Sequence, residues 1–594
     1  MALAHGGRLH NEGLQDFIVR GYHVIEPTVP AAYHEAVLEQ LREREAGGLG
    51  GQALADAVPL DELWADPAVE GALTSVFGHR WALDHHRHVH QHGPGAGAQT
   101  AHKDGAMRGR PRAHRPRLGL VMYYPQAVDE SMGPTAILPG SQYLLDKNDA
   151  EWPEIKLTCA AGTVVITHYD TFHRATENVS DTMRYMMKFI VWRRAEPEPH
   201  APSWLPGDGI ELHGQRGGLA ALPWRPPTAA ITNGMPHSAV IWRTVWEWYT
   251  CDHEPEVVDG EEAEEEEATA AELSAALSSP SLAERRLAAD RAGALHMLSQ
   301  ELRAALGECL SDRSTDGQLR MLAAYSLGRG GGLTELTEAL RHEAQAVAAG
   351  PQARYYDSTE PLAGHAEDGA PDRPYDSVMD SAPTGASGHS WRNPGQVDAA
   401  FGLAAAGAVE GAVPALCQLV QGGDWPVAAA ATTALGEMGM LGAAATRPLV
   451  DALMSPSEWV ARGAAEALGT VGVTDTDDIG EAAIALAFTV EEDRQVTPWS
   501  LARYPLREAA ACSLARMELA FGAVSTVAQR AKATLLERLA RRAGGEEPNA
   551  YVQQWIDLDD GPTAPADVRI DERWGSGFKK RARLSLCIHE GRKR

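Results

Sequence analysis

Thr100-Ala101-His102-Lys103-Asp104 and Thr171-Phe172-His173 are the two stretches that decide how the first part of this chain folds. They supply two imidazoles and one carboxylate, a set that binds Fe(II) on one face of the ion and leaves the opposite face open. Alternate residues of an extended segment share a face, so His102 and Asp104 can converge on one ion while Lys103 projects elsewhere. The pattern predicts a non-haem iron site with His102, Asp104 and His173 as ligands.

The flanking residues predict that loops and strands hold these ligands. Residues 93–97 are rich in Gly and Pro, which indicates a loop shortly before His102. Residues 162–167 are β-branched and apolar, which indicates a buried strand just before His173. His168 follows the same strand and is a rival for the distal ligand position.

Three features together resemble one known family. They are the His102-Lys103-Asp104 segment, the turn MGPTAILPGS at residues 132–141, and the spacing from His173 to Arg184. Residues from about 15 to 195 are on this basis similar to the phytanoyl-CoA dioxygenase family of Fe(II)/2-oxoglutarate oxygenases. The resemblance implies a double-stranded β-helix, a jelly-roll or cupin-like fold, that uses Fe(II), 2-oxoglutarate as cosubstrate and O2.

The resemblance also implies roles for individual residues. His102, Asp104 and His173 would bind iron, and Arg184 would pair with the far carboxylate of 2-oxoglutarate, for which a planar guanidinium is well suited. The family often has a Ser two residues after the distal His, where this chain has Ala175. It also often has a polar residue before the Gly/Pro loop that reaches 2-oxoglutarate, and His92 lies near that place. Relatives that halogenate replace the carboxylate ligand, so the retained Asp104 favours hydroxylation.

A histidine-rich segment precedes the first ligand pair. Strand alternation would place four of its imidazoles on one face: His86, His88, His90 and His92. Such a face could form a second metal site or line the active-site cavity with hydrogen-bonding groups. The cavity lining is the preferred interpretation.

Residues 108–117 are strongly basic in a chain whose formal net charge is −28. Two interpretations stay open: a lid that contacts a carboxylate, phosphate or acidic peptide, and a solvated loop paired with the protein's own acidic surface. An anionic small molecule or a carrier-bound or protein-bound substrate fits the first. The acidic balance disfavours nucleic acid as a partner.

Composition bounds the class of protein. The chain has 594 residues, 44% hydrophobic and 23% charged, which predicts at least two domains with ample cores. Its six cysteines have no paired spacing, so we expect neither a disulfide framework nor a zinc knuckle. The absence of a long apolar segment predicts a cytoplasmic protein without a membrane partner.

The second half of the chain is rich in Ala and Leu and repeats itself. Residues 430–436 and 461–469 carry similar Ala/Leu/Gly patterns, at a spacing within the roughly 20–50 residues typical of solenoids. This half resembles HEAT repeats and predicts an all-α solenoid. Two interpretations of it stay open: an arm that docks a substrate or a protein partner, and a structural cap or oligomerisation module. The predicted units are 1–195 (oxygenase domain), 196–253 (Trp/Pro-rich extension packed on the barrel), 254–269 (acidic linker), 270–345 (helical repeats), 346–396 (irregular insertion), 397–545 (helical repeats) and 546–594 (tail).

The sequence therefore predicts an Fe(II)- and 2-oxoglutarate-dependent dioxygenase with a HEAT-like domain behind it. The alternative is a catalytically inactive barrel in a scaffold protein whose solenoid is the working part. If the acidic run separates independently folding units, residues 1–253 should fold without the helical half.

Overall fold

Two antiparallel sheets organise the N-terminal domain. The computed structural model describes residues 9–193, 238–348 and 394–471, apart from short gaps that include 105–113 and 145–151, and a few residues between 482 and 517. The larger sheet has the order β1-β6-β3-β8-β2, and the smaller has the order β5-β4-β7. The strands are β1 Tyr22–Ile25, β2 Ala82–His92, β3 Leu118–Tyr123, β4 Thr135–Ile137, β5 Ile155–Lys156, β6 Val164–His168, β7 His173–Ala175 and β8 Arg184–Trp192.

Alternation along the strands of the larger sheet produces two apolar faces. Val164, Ile166 and Met187 belong to the core shared with the helices. Val165 and Met186 point the other way and pack with residues near the smaller sheet, such as Ile137 of β4. Because both faces are covered, β3 is apolar along its whole length and β6 begins with an apolar run, as predicted for residues 162–167.

Helices cover the outer face of the larger sheet. These helices are α1 Asn11–Arg20, α2 Ala31–Ala46, α3 Gly51–Ala57, α4 Asp61–Trp64 and α5 Pro67–Phe77. The sequence sets where α5 begins. Asp66 accepts hydrogen bonds from the backbone N–H groups of Ala68 at 2.9 Å and Val69 at 3.3 Å, and Pro67 occupies the first turn.

The second half is helical and its small residues lie where helices approach closely. A Cβ atom at Gly328 would lie 2.0 Å from the carbonyl oxygen of Gly402, so a larger side chain at that crossing would push the two helices apart. The helices are α6 Ala239–Thr250, α7 Gly260–Leu277, α8 Leu282–Ala292, α9 Gln300–Ser311, α10 Gly317–Arg329, α11 Leu333–Ala348, α12 Pro394–Ala406, α13 Ala412–Gly422, α14 Trp425–Met438, α15 Thr446–Ala452 and α16 Glu458–Leu468. A chain with a sheet-rich N-terminal domain and a helical second half is therefore confirmed, whereas the double-stranded β-helix stays a prediction.

The acidic run is partly helical. Ten residues assigned to it, 260–269, lie in α7, which continues to Leu277. Negative charge is favourable near the N-terminus of a helix, because the helix dipole is positive there. The role of this run as a linker between folding units stays a prediction. The helices α11 and α12 likewise extend into the predicted insertion 346–396, whose centre lies outside the described residues, as does the tail 546–594.

The Trp-rich segment joins the two halves. Trp242, Trp246 and Trp248 of α6 are buried, and Tyr249 donates a hydrogen bond to the carbonyl oxygen of Val76 at 2.8 Å. Helix α6 contacts α1 on one side and α8 and α10 on the other. The prediction that this segment packs on the barrel through core tryptophans holds for α6, while residues 198–237 lie outside the described part of the chain.

The end of the basic segment is buried between the halves. Arg117 pairs with Glu437 of α14 at 3.0 Å, and both side chains are less than 10% exposed. The guanidinium groups of Arg115 and Arg117 lie over Trp248. Arg117 is thus paired with an acidic residue of the same chain, as the second interpretation has it, but the pair is buried rather than solvated. The lid stays a prediction. Residues 108–113 lie outside the described part.

His114 links the N-terminal domain to the helical second half by ring contacts. Its imidazole stacks on Phe401 of α12 with ring centroids 4.0 Å apart and hydrogen-bonds to Tyr325 of α10. On its other side it meets the ring of Tyr143, edge to face. One continuous apolar core accordingly extends from the N-terminal helices into the solenoid.

Two simpler predictions can also be compared with the structure. The described cysteines Cys159, Cys309 and Cys417 are free thiols. Among the described helices, none combines the length and the apolar character that crossing a bilayer requires.

Candidate metal centre and cosubstrate pocket

The structure brings together the three residues predicted as metal ligands. His102 and His173 form an isolated antiparallel bridge, in which each backbone N–H donates to the other's carbonyl oxygen at 3.0 Å. Asp104 Oδ1 lies 3.7 Å from His102 Nε2 and 3.9 Å from His173 Nε2. Of the residues that the structure describes, these three form the one group of metal-ligating side chains with atoms all within 4.8 Å of one another.

Backbone carbonyls fix the tautomers of both imidazoles. His102 Nδ1 lies 2.9 Å from the carbonyl oxygen of Thr100, and His173 Nδ1 lies 3.1 Å from that of Thr171. A carbonyl oxygen can only accept, so each Nδ1 carries the proton and each Nε2 presents a lone pair. Such a carbonyl contact behind the ring is typical of metal-binding histidines.

The charge state of the group also suits a cation. Burial and the neighbouring His102 lower the pKa of His173 to about 4, so its ring is neutral at pH 7. Burial alone would raise the pKa of Asp104, but Lys188 and the two imidazoles hold it well below its usual value. A neutral His173 ring and an ionised Asp104 carboxylate are the protonation states that metal binding requires of these two groups.

Arg184 lies in a pocket that lacks a counter-ion. Its side chain is 2% exposed, its Nη1 donates to Thr135 Oγ1 at 3.3 Å, and its Nε has no hydrogen-bond partner among the described residues. No described carboxylate lies within ion-pair distance, and burial lowers the pKa of the guanidinium. A buried unpaired cation is costly, so this pocket fits the carboxylate end of an anionic ligand such as 2-oxoglutarate.

Thr135 supplies the hydroxyl that Ala175 lacks, and the sequence interpretation missed it. The two residues are direct cross-strand neighbours of β4 and β7. Thr135 Oγ1 accepts from Tyr124 Oη at 2.9 Å as well as from Arg184, so its own proton remains available for an anion. The pairing of β4 with β7 shows that the Thr135 hydroxyl lies beside Ala175. The sequence does not show it, because the two residues are far apart in the chain.

His92 lies beside the arginine pocket as part of its wall. It is the cross-strand partner of Arg184 in the β2–β8 pair, and its Nε2 lies 2.8 Å from the carbonyl oxygen of Thr176. That ring nitrogen therefore donates to the backbone, which leaves the predicted contact with 2-oxoglutarate a prediction.

The other histidines of β2 belong to the same inner face. The rings of His88 and His90 are 4.8 Å apart, and His90 Nε2 is buried without a hydrogen-bond partner among the described residues. Burial, followed by the charge of Lys188, holds the pKa of His90 well below its ordinary value. They form no second metal cluster among the described side chains, and the side chain of His86 lies outside them.

His168, the rival for the distal position, is not part of the cluster. Its Nδ1 accepts a hydrogen bond from the backbone N–H of Asp170 at 3.1 Å. It is His173 that shares the bridge with His102.

Lys188 is a further residue of the site that the sequence interpretation missed. Its Nζ donates to Asp104 Oδ2 at 2.9 Å, and both side chains are 12% exposed. Strand alternation could have found it, because Lys188 lies four residues after Arg184 in β8 and so shares its face.

Comparison with protein families agrees with this geometry. Residues 21–186 match the family model described as phytanoyl-CoA dioxygenase (PhyH). The chain carries a phytanoyl-CoA dioxygenase domain. Residues 395–487 match the model described as HEAT repeats. The PhyH domain thus contains all three candidate ligands, Arg184 and His92.

Several solved structures are similar to part of the chain. The non-heme alpha ketoglutarate dependent carbocyclase SnoK from nogalamycin biosynthesis is 18% identical, with a TM-score of 0.28, and the match covers 38% of this chain and 98% of that one. The epimerase SnoN in complex with Fe3+, alpha ketoglutarate and nogalamycin RO is 16% identical, covering 36% and 94%, with a TM-score of 0.27. EctD from S. alaskensis with bound Fe is 14% identical, covering 32% and 80%, with a TM-score of 0.28. No curated protein matches the chain significantly.

Proposed function

We propose that the PhyH domain is an Fe(II)- and 2-oxoglutarate-dependent dioxygenase that hydroxylates an unactivated C–H bond. One observation carries this proposal: two imidazoles whose tautomers present Nε2 meet one ionised carboxylate at a single point. The two facing sheets around that point support a double-stranded β-helix as the scaffold.

His102, Asp104 and His173 would hold the metal from one side. Arg184 and Thr135 would hold the far carboxylate of 2-oxoglutarate, since both direct unused hydrogen-bond donors into the same pocket. Bound iron, 2-oxoglutarate and O2 supply the oxidising chemistry, with succinate and CO2 as the other products. The chain's own part is to orient the substrate C–H bond and to exclude water, for which the apolar side chains near Met186 provide the wall.

An inactive barrel in a scaffold protein is the competing function. A scaffold has no need for a neutral His173 and an ionised Asp104 directed at one point, nor for a buried arginine that has no counter-ion among the described residues. Those two features support an enzyme, because each is costly in an empty pocket.

We propose that the solenoid docks a substrate or a protein partner while also supporting the PhyH domain. Its helices α10, α12 and α14 supply Tyr325, Phe401 and Glu437 to the buried contact with residues 114–117. Residues 114–117 follow the first ligand pair closely in the chain, so the solenoid contacts a segment that continues directly from that pair. Concave solenoid faces commonly bind such partners.

The test is 2-oxoglutarate turnover by the full chain without added substrate. We expect Fe(II)-dependent release of succinate and CO2, and its loss in His102→Ala, Asp104→Ala and His173→Ala. His168→Ala is the matched control, and it should retain turnover. Turnover that survives His173→Ala but not His168→Ala would move the distal ligand, and a wild-type chain without turnover or Fe(II) binding would favour the scaffold.

A further inference from the structure

We propose that Lys188 is a positioning residue that makes Asp104 a one-oxygen ligand, and this rests on the iron site proposed above. The two carboxylate oxygens have different surroundings. Oδ1 faces the Nε2 atoms of His102 and His173 at 3.7 and 3.9 Å, whereas Oδ2 accepts from Lys188 Nζ at 2.9 Å. One oxygen is thus directed to the metal position and the other is held away from it.

The backbone on both sides of Lys188 holds the ammonium in place. Strand β8 pairs with β2, where His88 is the partner of Lys188, and with β3, where Met122 is. The residue therefore lies in the middle of a three-strand ladder rather than at an edge. Asp104 Oδ2 is the acceptor of its one hydrogen bond with the described residues.

Asp104 is less firmly held by its own backbone. It lies in a turn two residues after the isolated bridge at His102, outside the strands of both sheets. Without a second anchor its carboxylate could rotate and offer both oxygens to one ion, as carboxylates often do with hard cations. The ion pair with Lys188 removes that freedom.

The way Asp104 binds decides how much of the metal ion stays accessible to O2. His102, Asp104 and His173 would hold the ion on one face and leave the other face for 2-oxoglutarate and O2. A carboxylate that bound through both oxygens would compete for that open face. By holding Oδ2, Lys188 would keep the open face accessible without touching either ligand.

Nitric oxide, which binds Fe(II) where O2 would, makes this testable in the full chain. With Fe(II) and 2-oxoglutarate under anaerobic conditions, we expect the wild type to give the electron paramagnetic resonance signal of an iron nitrosyl. Lys188→Met should still bind Fe(II) but lose nitric oxide affinity and 2-oxoglutarate turnover by roughly 10- to 100-fold, the usual effect of removing such a partner. Lys188→Arg, which keeps a cationic donor, should recover most of both.

Lys156→Met is the matched control, because Lys156 is a strand lysine that is 49% exposed and pairs with Glu130 at 3.6 Å, away from the site. It should leave both properties unchanged. Unaltered nitric oxide binding in folded Lys188→Met would overturn the positioning role, as would a Lys188→Arg variant no better than Lys188→Met. Failure of the proposed function is a separate result, since the wild type would then bind no Fe(II) and give no nitrosyl signal.

Discussion

Thr135→Val tests whether a threonine has taken over the cosubstrate contact that Ala175 cannot make. Arg184 Nη1 and Tyr124 Oη both donate to Thr135 Oγ1, at 3.3 and 2.9 Å, so both of its lone pairs are used. Its own proton is then the donor left for an anion beside Arg184. Valine has almost the same shape and lacks that donor.

The expected loss follows from one hydrogen bond to a charged acceptor. Such bonds contribute about 1.5–3 kcal/mol, which corresponds to roughly a 10- to 150-fold weaker Kd for 2-oxoglutarate. The measurement is calorimetric titration of 2-oxoglutarate into the Co(II)-loaded full chain, where no turnover occurs. Metal affinity should not change, because Thr135 does not contact the three ligands.

Two further variants make the result specific. Adding Ala175→Ser to Thr135→Val should restore binding, because the residues are cross-strand partners and the serine hydroxyl would enter the same pocket. Thr74→Val is the matched control, since that buried threonine accepts from Trp81 Nε1 at 3.2 Å in another part of the domain. An unchanged Kd in Thr135→Val, or no recovery in the double variant, would refute the assignment.

Three other predictions follow from the described contacts. Arg184→Gln should raise the 2-oxoglutarate KM by an amount equivalent to about 2–4 kcal/mol, because a buried carboxylate is left without its cation; an unchanged KM would assign that carboxylate to another group. Acidification from pH 6.5 towards 4 should destabilise the metal-free chain, because the pKa values of His23 and His173 are lowered to about 4 and unfolding would then take up protons. The unfolding temperature of His23→Gln should therefore fall less steeply with pH than that of the wild type. Equal pH dependence of the two unfolding temperatures would contradict this. Phe401→Ala should lower the free energy of unfolding by about 3–5 kcal/mol, because it opens the core shared by the two halves. Residues 1–253 alone should aggregate for the same reason. A soluble, iron-binding fragment would show instead that the PhyH domain folds alone.

The ligand set could be predicted from sequence because its signals are local. His102 and Asp104 are two residues apart, and His173 and Arg184 have a spacing that the resemblance recognises. The structure brings the first three to one point, although their binding of iron stays a prediction. The strand at residues 162–167 could also be predicted from the sequence, because an unbroken run of apolar, β-branched residues is typical of a buried strand.

The residues that sequence reasoning missed depend on contacts between distant segments. Thr135 matters because β4 pairs with β7, and Lys188 matters because β8 brings it to Asp104. The burial of Arg117 depends on Glu437, which lies far away in the chain. No local pattern encodes such pairings, so the sequence could not show that Arg117 of the basic segment is buried against the helical half.

Diffraction at the iron absorption edge tests the central claim most directly. Crystals of the full chain grown with Fe(II) and 2-oxoglutarate without oxygen should show one anomalous peak in contact with His102 Nε2, Asp104 Oδ1 and His173 Nε2. Density for 2-oxoglutarate should extend from that peak to Arg184 and Thr135. A peak at the histidines of β2, or 2-oxoglutarate that does not reach Arg184, would contradict the account.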